Sequence, residues 1–402
     1  MKILFVSPYL PYPIISGGHA RVYNLMKQLA VRSHDLYLVA NQRYEVTEEQ
    51  QRELARLCHG LTMVPRGSAR SLGNYLRYAL SLQPLQAVLN NRAVLADAVD
   101  RAIRDWRPDI VHAEHYHVVP RVTAVCRRHG VPVVAGDQSA EFIIMERIAR
   151  AEANPLMRLV WRHEAWRIRR CETAALNGAD RAVMVSRADR DLVLQAGVRG
   201  MVDVVDNGAD LDYFQPVSGM TDRPTVLFFC TFTFFANVDA ALWFHREIWP
   251  LVKRAVPGAK WLLAGDQPTP SIRALAGQDV ELTGWERDVR KLFARCQVVV
   301  VPLRSGSGTK FKVLEAMAAG QAVVTTSIGL EGIDAIPGED VLLADEPERF
   351  AAETVRMLRH EPERREIGRR AREFMVKNLS WGVLTDRLER IYREAIGGCQ
   401  QP

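Results

Sequence analysis

Short β-branched, apolar runs alternate with longer amphipathic stretches through the first half of the chain. The runs Ile3–Ser7, Leu36–Ala40, Ile110–Ala113, Val133–Ala135, Ala182–Val185 and Val202–Val205 predict strands, and apolar positions at helical spacing predict helices such as Val22–Arg32 and Arg158–Leu176 between them. Both periodicities lapse in a turn-rich stretch from Asn207-Gly208-Ala209-Asp210 through Pro216, Gly219 and Pro224. The pattern then restarts. Strands are expected at Val226–Phe229, Trp261–Ala264, Val298–Pro302, Ala322–Thr325 and Val341–Leu343, with helices over Val238–Arg254, from Lys310 to Ala319, and from Pro347 onward. Such alternation makes parallel β-α-β units, so the fold class is α/β, with two doubly wound domains in tandem. We place residues 1–207 in the first domain, 208–224 in a linker, 225–377 in the second domain, and 378–402 in a closing helix expected to pack back on the first. Ligands of such sheets sit beyond the carboxyl ends of the strands, so the expected site is the cleft between the two domains.

Composition narrows the classes. The 402 residues are 48% apolar and 25% charged, an ordinary globular balance that excludes a disordered or fibrous chain. A net charge of +6 is mild at this length and permits anionic partners without selecting one. The six cysteines stand singly with no C-x-x-C pair, which argues against a zinc knuckle or a disulfide framework and fits a reducing cytosol. Met1–Ser7 reads as a first strand rather than a leader, because its apolar run ends at Ser7-Pro8. No stretch approaches the ~18 uninterrupted apolar residues of a membrane span.

Two strand-to-helix turns carry candidate chemistry. The first, Ser7 to Arg21, contains Gly17-Gly18 just before a helix; paired glycines there let backbone amides approach an anion, although Gly-Gly before a helix is often only a turn. The second runs from Val300-Val301-Pro302-Leu303-Arg304-Ser305-Gly306-Ser307-Gly308-Thr309-Lys310 into Phe311–Gly320. A buried strand feeding a Gly-Ser-Gly turn exposes amides at a helix start, with Arg304 and Lys310 as adjacent cations, a combination suited to a diphosphate. Glu315 lies in the apolar helix that follows. Its partner is either the paired hydroxyls of a sugar ring or a neighbouring backbone or basic group.

The segment Gly306–Gly320, followed by Ala322–Thr326 and Gly329-Leu330-Glu331-Gly332, resembles the donor-binding region of family-4 retaining glycosyltransferases of the GT-B fold. Val204–Asp210 resembles that family's interdomain turn, Asn237–Phe244 the helix after the first strand of its second domain, and Leu282-Thr283-Gly284-Trp285 its base-binding loop. The likeness spans nearly the whole chain. It implies a GT-B fold of two Rossmann-like domains and transfer of a sugar, with retention, from a nucleotide diphosphate sugar such as a UDP-sugar. By the same resemblance Glu315 would bond the ribose hydroxyls, and the donor site would comprise Gly17, Gly18, Thr231, Gly284, Trp285, Gly306, Ser307, Gly308, Thr309, Lys310 and Glu315. Glu315, Lys310, Arg304 and Gln138 would serve catalysis; His19, Arg21, His115 and Glu114 would stand on the acceptor side. The departing diphosphate would itself help remove the acceptor proton, and neither cofactor nor metal is implied.

Three positions depart from the family pattern: Ser307 stands where a Glu is usual, Thr231 where a basic residue is usual, and Gln138 in a segment that commonly supplies a His. These motivate a rival reading, a degenerate GT-B protein acting as a binding or scaffold subunit. A sugar-nucleotide epimerase is a further alternative.

Two other clusters bear on partners. His112-Ala113-Glu114-His115-Tyr116-His117 ends a strand at the expected cleft; it reads as a surface histidine cluster or an acceptor contact, and poorly as a zinc site, because alternate strand residues face apart. The arginine-rich stretch Arg158–Arg170, with Trp161 and Trp166, is expected either to pack its Trp inward or, with Arg66, Arg70, Tyr75, Leu76, Arg77 and Tyr78, to adhere to an anionic membrane. The acceptor is then a sugar, lipid or small molecule, the place cytoplasmic or the inner membrane face, and no nucleic-acid module is present.

Overall fold

In a computed structural model, residues 1–68, 71–216, 221, 223–306 and 308–399 are described. The chain forms two compact units, residues 1–206 with 384–402, and residues 207–383. The described residues of the first unit form a parallel sheet in the order β3-β2-β1-β4-β5-β6-β7. Its strands are β1 (Lys2–Ser7), β2 (Asp35–Gln42), β3 (Gly60–Pro65), β4 (Ile110–Glu114), β5 (Val133–Gly136), β6 (Arg181–Met184) and β7 (Val202–Val204). The second unit has the order β10-β9-β8-β11-β12-β13, from β8 (Thr225–Phe229), β9 (Lys260–Ala264), β10 (Val280–Gly284), β11 (Val298–Val301), β12 (Val323–Thr325) and β13 (Leu342–Leu343). In each, the chain reverses its direction of strand addition beside the first strand, and that reversal leaves the crevice where doubly wound sheets take ligands.

The central strands are apolar on both faces because helices cover both. Ile3 to Val6 and Val298 to Val301 have no exposed surface. Two edge strands depart from the sequence expectation. β3 and β10 were not expected as strands, and their residues are mostly half-buried rather than continuously apolar. The helix expected over Val238–Arg254 is also interrupted. It runs Phe235–Trp243, widens into a π-helical turn at Phe244–Ile248, and resumes at Trp249–Ala255, where Pro250 lacks the N–H that a continuous α-helix requires.

The last helix, Trp381–Cys399, belongs to the first unit from Leu384 onward. Polar contacts fix it there: Tyr392 Oη lies 2.7 Å from His112 Nδ1, Glu389 is 3.0 Å from His34, and Arg387 is 2.6 Å from Asp206.

The helix Pro155–Gly178 departs from the inward-Trp expectation. Its first two turns are exposed nearly all round, with Leu156 at 75% and Leu159 at 65%, and Trp166 is 47% exposed. In the same stretch Ala165, Arg167 and Ile168 turn inward, with the Arg167 guanidinium stacked 4.6 Å from the Tyr78 ring. Arg70 lies outside the described residues.

Candidate donor and acceptor sites

In the second unit, β11 ends in a turn that only glycine accommodates easily. Gly306 has φ of 131° and Gly308 of 67°, conformations that cost an L side chain energy. The helix Phe311–Ala318 starts at once, with Lys310 as its N-cap and no side chain capping the first turn, so first-turn amides stay open to an anion. The Thr309 hydroxyl is buried with no hydrogen-bond partner among the described residues. Lys310 is buried, and its ammonium donates to the Gly308 carbonyl at 2.5 Å and stands 3.5 Å from Glu331. Ser307 lies outside the described residues.

Lys312 and Glu315 sit three positions apart on this helix, hence on neighbouring faces. The Lys312 ammonium donates to Asn237 Oδ1 at 2.7 Å and lies 5.0 Å from the Phe228 ring; Asn237 in turn donates to the Thr231 carbonyl at 2.7 Å. No group among the described residues hydrogen-bonds the Glu315 carboxylate. Burial therefore pushes Glu315 up to about 7, against the opposing pull of Lys312. A carboxylate left short of donors is suited to paired hydroxyls supplied from outside.

The other sequence-derived donor residues are placed as follows. Thr231 is half-buried, and its hydroxyl meets Thr233 at 3.1 Å. Gly284 has φ of 73°, and Trp285 beyond it is 71% exposed. Arg304, expected beside the diphosphate, has a carboxylate partner. It grips Asp239 through two bonds of 3.1 and 2.5 Å and lies 5.3 Å from the Trp243 ring. Lys312, which from the sequence could make up for the missing charge at Thr231, reaches Asn237 and through it the Thr231 carbonyl.

The first unit holds a cavity of 590 Å³ across the carboxyl ends of β1 to β5. The helix Gly17–Val31 begins at its side, where Gly18 is confined: a Cβ there would stand 2.4 Å from Gln138 Oε1 and 2.5 Å from Tyr9 Oη. Gln138 Nε2 donates to Tyr9 Oη at 3.0 Å, and Tyr9 Oη lies 3.0 Å from His115 Nε2. His115 has positive φ, 68°, which turns its ring toward Asp137, 3.6 Å away. Burial lowers the His115 pKa, but the hydrogen bond and charge of Asp137 outweigh it and the net shift is upward. His19 stacks 4.4 Å from the Tyr9 ring and is lowered to about 4 by burial.

The histidine cluster is not the surface feature expected from sequence. His112 and Glu114 are wholly buried and 3.0 Å apart, both on one face of β4 as a period of two requires. Glu114 sits at about 2: burial would raise it, yet the His112 hydrogen bond and the charges of His112 and Arg21 prevail. Arg21 is buried too and donates to the Asp206 carbonyl at 2.9 Å. Glu114 and Arg21, expected on the acceptor side, therefore lie beneath the cavity and are not among its lining residues, whereas His19, His115 and Gln138 are. Among the described residues, no group of three His, Cys, Asp or Glu side chains is arranged to hold a metal ion.

Comparison with known proteins agrees with this geometry. The family model described as Glycosyltransferase Family 4 matches residues 15–213, and that described as Glycosyl transferases group 1 matches residues 223–360. An uncharacterized 44.6 kDa protein in the cps region of Klebsiella pneumoniae is 21% identical, over 94% of this chain and 96% of its own length. Glycogen synthase of Mycobacterium tuberculosis is 24% identical, over 100% of this chain and 97% of its own. Among solved structures, HepE from Anabaena in complex with UDP and glucose superposes with a TM-score of 0.67 at 15% identity, covering 98% of this chain and 100% of that one. Sucrose-phosphate synthase from Thermosynechococcus elongatus gives 0.69 at 16%, covering 99% and 100%. These structures carry the fold, GT-B, and the family models assign transfer rather than epimerisation. With a family-4 domain in its first half and a group-1 domain in its second, the chain belongs to the GT-B glycosyltransferases.

Proposed function

We propose that the protein moves a sugar from a UDP-sugar to a glycan, glycolipid or small-molecule acceptor with retention of anomeric configuration. The carrying observation is the pairing, on one short helix, of the bond-starved Glu315 carboxylate with the Lys312 ammonium, beside the buried, partnerless Thr309 hydroxyl. Glu315 bonds the ribose hydroxyls, while the open amides at the helix start, with Lys310 and Lys312, hold the diphosphate. In the transfer step the bond from the sugar's C1 to the diphosphate oxygen breaks, the acceptor oxygen bonds C1, and the acceptor proton passes to the departing diphosphate. Charge on that leaving group is stabilised by fixed amides and cations, so no strong protein base is required. Lys312 supplies the positive charge that Thr231 lacks. HepE, solved with UDP and with UDP-glucose, supports the choice of base, and the glycogen synthase relative supports a glycan product.

The test is UDP binding by calorimetry, followed by NMR of the product anomer across a panel of UDP-sugars. Retained configuration, and loss of activity in Glu315→Ala, are expected. A full panel giving neither thermal stabilisation nor turnover favours the scaffold reading, which the Arg304–Asp239 pair also favours by removing one cation from the donor. A cytoplasmic place at the inner membrane face is part of the proposal. No helix among the described residues is long and apolar enough to cross a membrane, but exposed Leu156, Leu159, Val160 and Trp166 share a helix with Arg158 and Arg162. Liposome flotation decides: attachment to anionic vesicles that salt does not weaken, or no attachment, removes it.

A further inference from the structure

The first-unit cavity has two chemically different ends. At the ends of β1, β4 and β5, its polar groups are spent on one another, in the Gln138–Tyr9–His115–Asp137 chain described above. At the ends of β2 and β3 the cations meet neutral groups instead of acids. Arg43 follows β2 and Arg66 follows β3, and both line the cavity. Arg66 donates to two neutral amides, Asn90 Oδ1 at 2.9 Å and Gln86 Oε1 at 2.7 Å, and meets no carboxylate among the described residues. The Arg43 guanidinium lies 5.2 Å from the Tyr44 ring and is likewise without a carboxylate partner among the described residues. Between these arginines and the other end stands His117. It is only 7% exposed, and neither ring nitrogen has a hydrogen-bond partner among the described residues. Its ring is stacked on His115, with centroids 5.1 Å apart.

Two guanidinium groups without an anion repel each other, and the buried imidazole beside them is kept neutral. Burial and then Arg43 lower the Arg66 pKa, and burial, then His115, then Arg66 hold His117 well below its usual value. The acids that line the cavity do not neutralise them. Asp137 faces His115, Glu141 is pushed up by burial, and Glu45 is exposed at the rim. An unpaired buried polar group is costly to keep, and one that faces a cavity is placed to meet a ligand group.

We propose that the β2–β3 end of this cavity is an anion subsite, in which Arg43, Arg66 and His117 receive a carboxylate or phosphate carried by the acceptor, so that the acceptor is an acidic or phosphorylated sugar. This rests on the reading of the first unit as the acceptor-binding half. The sugar ring lies against the aromatic and apolar wall of Tyr9, Tyr12, Tyr44 and Ile15, and its acidic substituent points toward Arg66.

The experiment uses the full chain, with glucuronate, glucose 6-phosphate and glucose as probes in separate calorimetric titrations, and UDP as a fourth. One or both acidic sugars are expected to bind and glucose not, and the stronger of the two acids identifies the anion. Arg66→Gln and the exposed Arg43→Gln each weaken the acidic probe about tenfold or more and leave UDP binding unchanged. His117→Asn, which keeps a donor, retains more affinity than His117→Phe. Glucose binding as tightly as the acids, neither acid binding, or acid affinity indifferent to both arginine substitutions overturns the subsite. UDP binding that survives such a result leaves the transferase reading standing, whereas its loss in the unaltered protein sinks that reading separately.

Discussion

Replacing Glu315 by Gln separates what the carboxylate costs the fold from what it does for the ligand. In the folded protein burial raises this group from 4.5 to about 7. The folded state therefore keeps a proton that the unfolded state has released, so wild-type stability falls as pH rises through the window from 4.5 to about 7. At ~1.36 kcal/mol for each pH unit of that gap, the full loss is about 3 kcal/mol, an upper figure because part of the side chain still meets water. Gln carries no such penalty. Urea unfolding should thus find Glu315→Gln no more stable than wild type near about pH 5 and about 2–3 kcal/mol more stable near about pH 8. The same substitution should weaken UDP about ten- to a hundredfold, because an amide accepts the ribose hydroxyls through one oxygen and without charge. A difference between the two proteins that does not change with pH, or a variant less stable than wild type at the higher pH, would refute the argument. Unchanged UDP affinity would refute the assignment of Glu315 to the ribose while leaving the electrostatics intact.

Gly18→Ala should leave stability within about 1–3 kcal/mol yet depress transfer sharply, because its Cβ displaces the hydrogen-bonded ends of Gln138 and Tyr9; kcat/KM beside a melting curve checks this. Lys312→Met should reduce UDP affinity about tenfold by calorimetry, with a further rise in the pH at which Glu315 ionises. Tyr392→Phe, which removes the 2.7 Å contact to His112, should cost about 1 kcal/mol in urea with UDP binding unaffected. Glu114→Gln should be destabilising by about 3 kcal/mol at neutral pH, and its deficit should shrink as pH falls from 4.5 towards about 2, the reverse of the Glu315 case.

The strands legible in the sequence were those buried on both faces, such as Val298–Val301, where every residue is apolar and no alternation is needed to recognise them. β3 and β10 escaped because an edge strand is paired on one side only and carries Gly60, Thr62, Glu281 and Thr283 among its apolar residues. The Gly306–Glu315 segment was legible because its chemistry is contiguous: turn, helix start and carboxylate follow one another in the chain. The first-unit cavity was not, since its walls come from the ends of five strands and only the sheet order brings Arg43, Arg66 and His117 together. The partner of Arg304 was hidden for a related reason. Its position in the motif predicts proximity to a diphosphate, and a carboxylate far away in sequence, Asp239, also bonds its guanidinium.

Glu114, wholly buried, and Glu315, half-buried, show how two carboxylates come to be shifted in opposite directions. Glu114 is surrounded by His112, Arg21 and Gln138 Nε2, the last at 3.4 Å, so its charge is cheaper in the protein than in water and it stays ionised down to about 2. Such a group has little left to offer a ligand; it holds the cavity floor beneath Tyr9 and His115. Glu315 receives no hydrogen bond from the described residues, and one cation three positions earlier does not make up for lost hydration. The fold tolerates that deficit only because two β-α units supply enough apolar burial around the helix to outweigh it, Val313, Leu314, Ala316 and Met317 having no exposed surface at all. Donors arriving from outside relieve the deficit, and the relief appears as binding energy. In the proposed reading the two shifts run opposite ways: the lowered acid, Glu114, organises its surroundings, and the raised one, Glu315, receives the donor's hydroxyls.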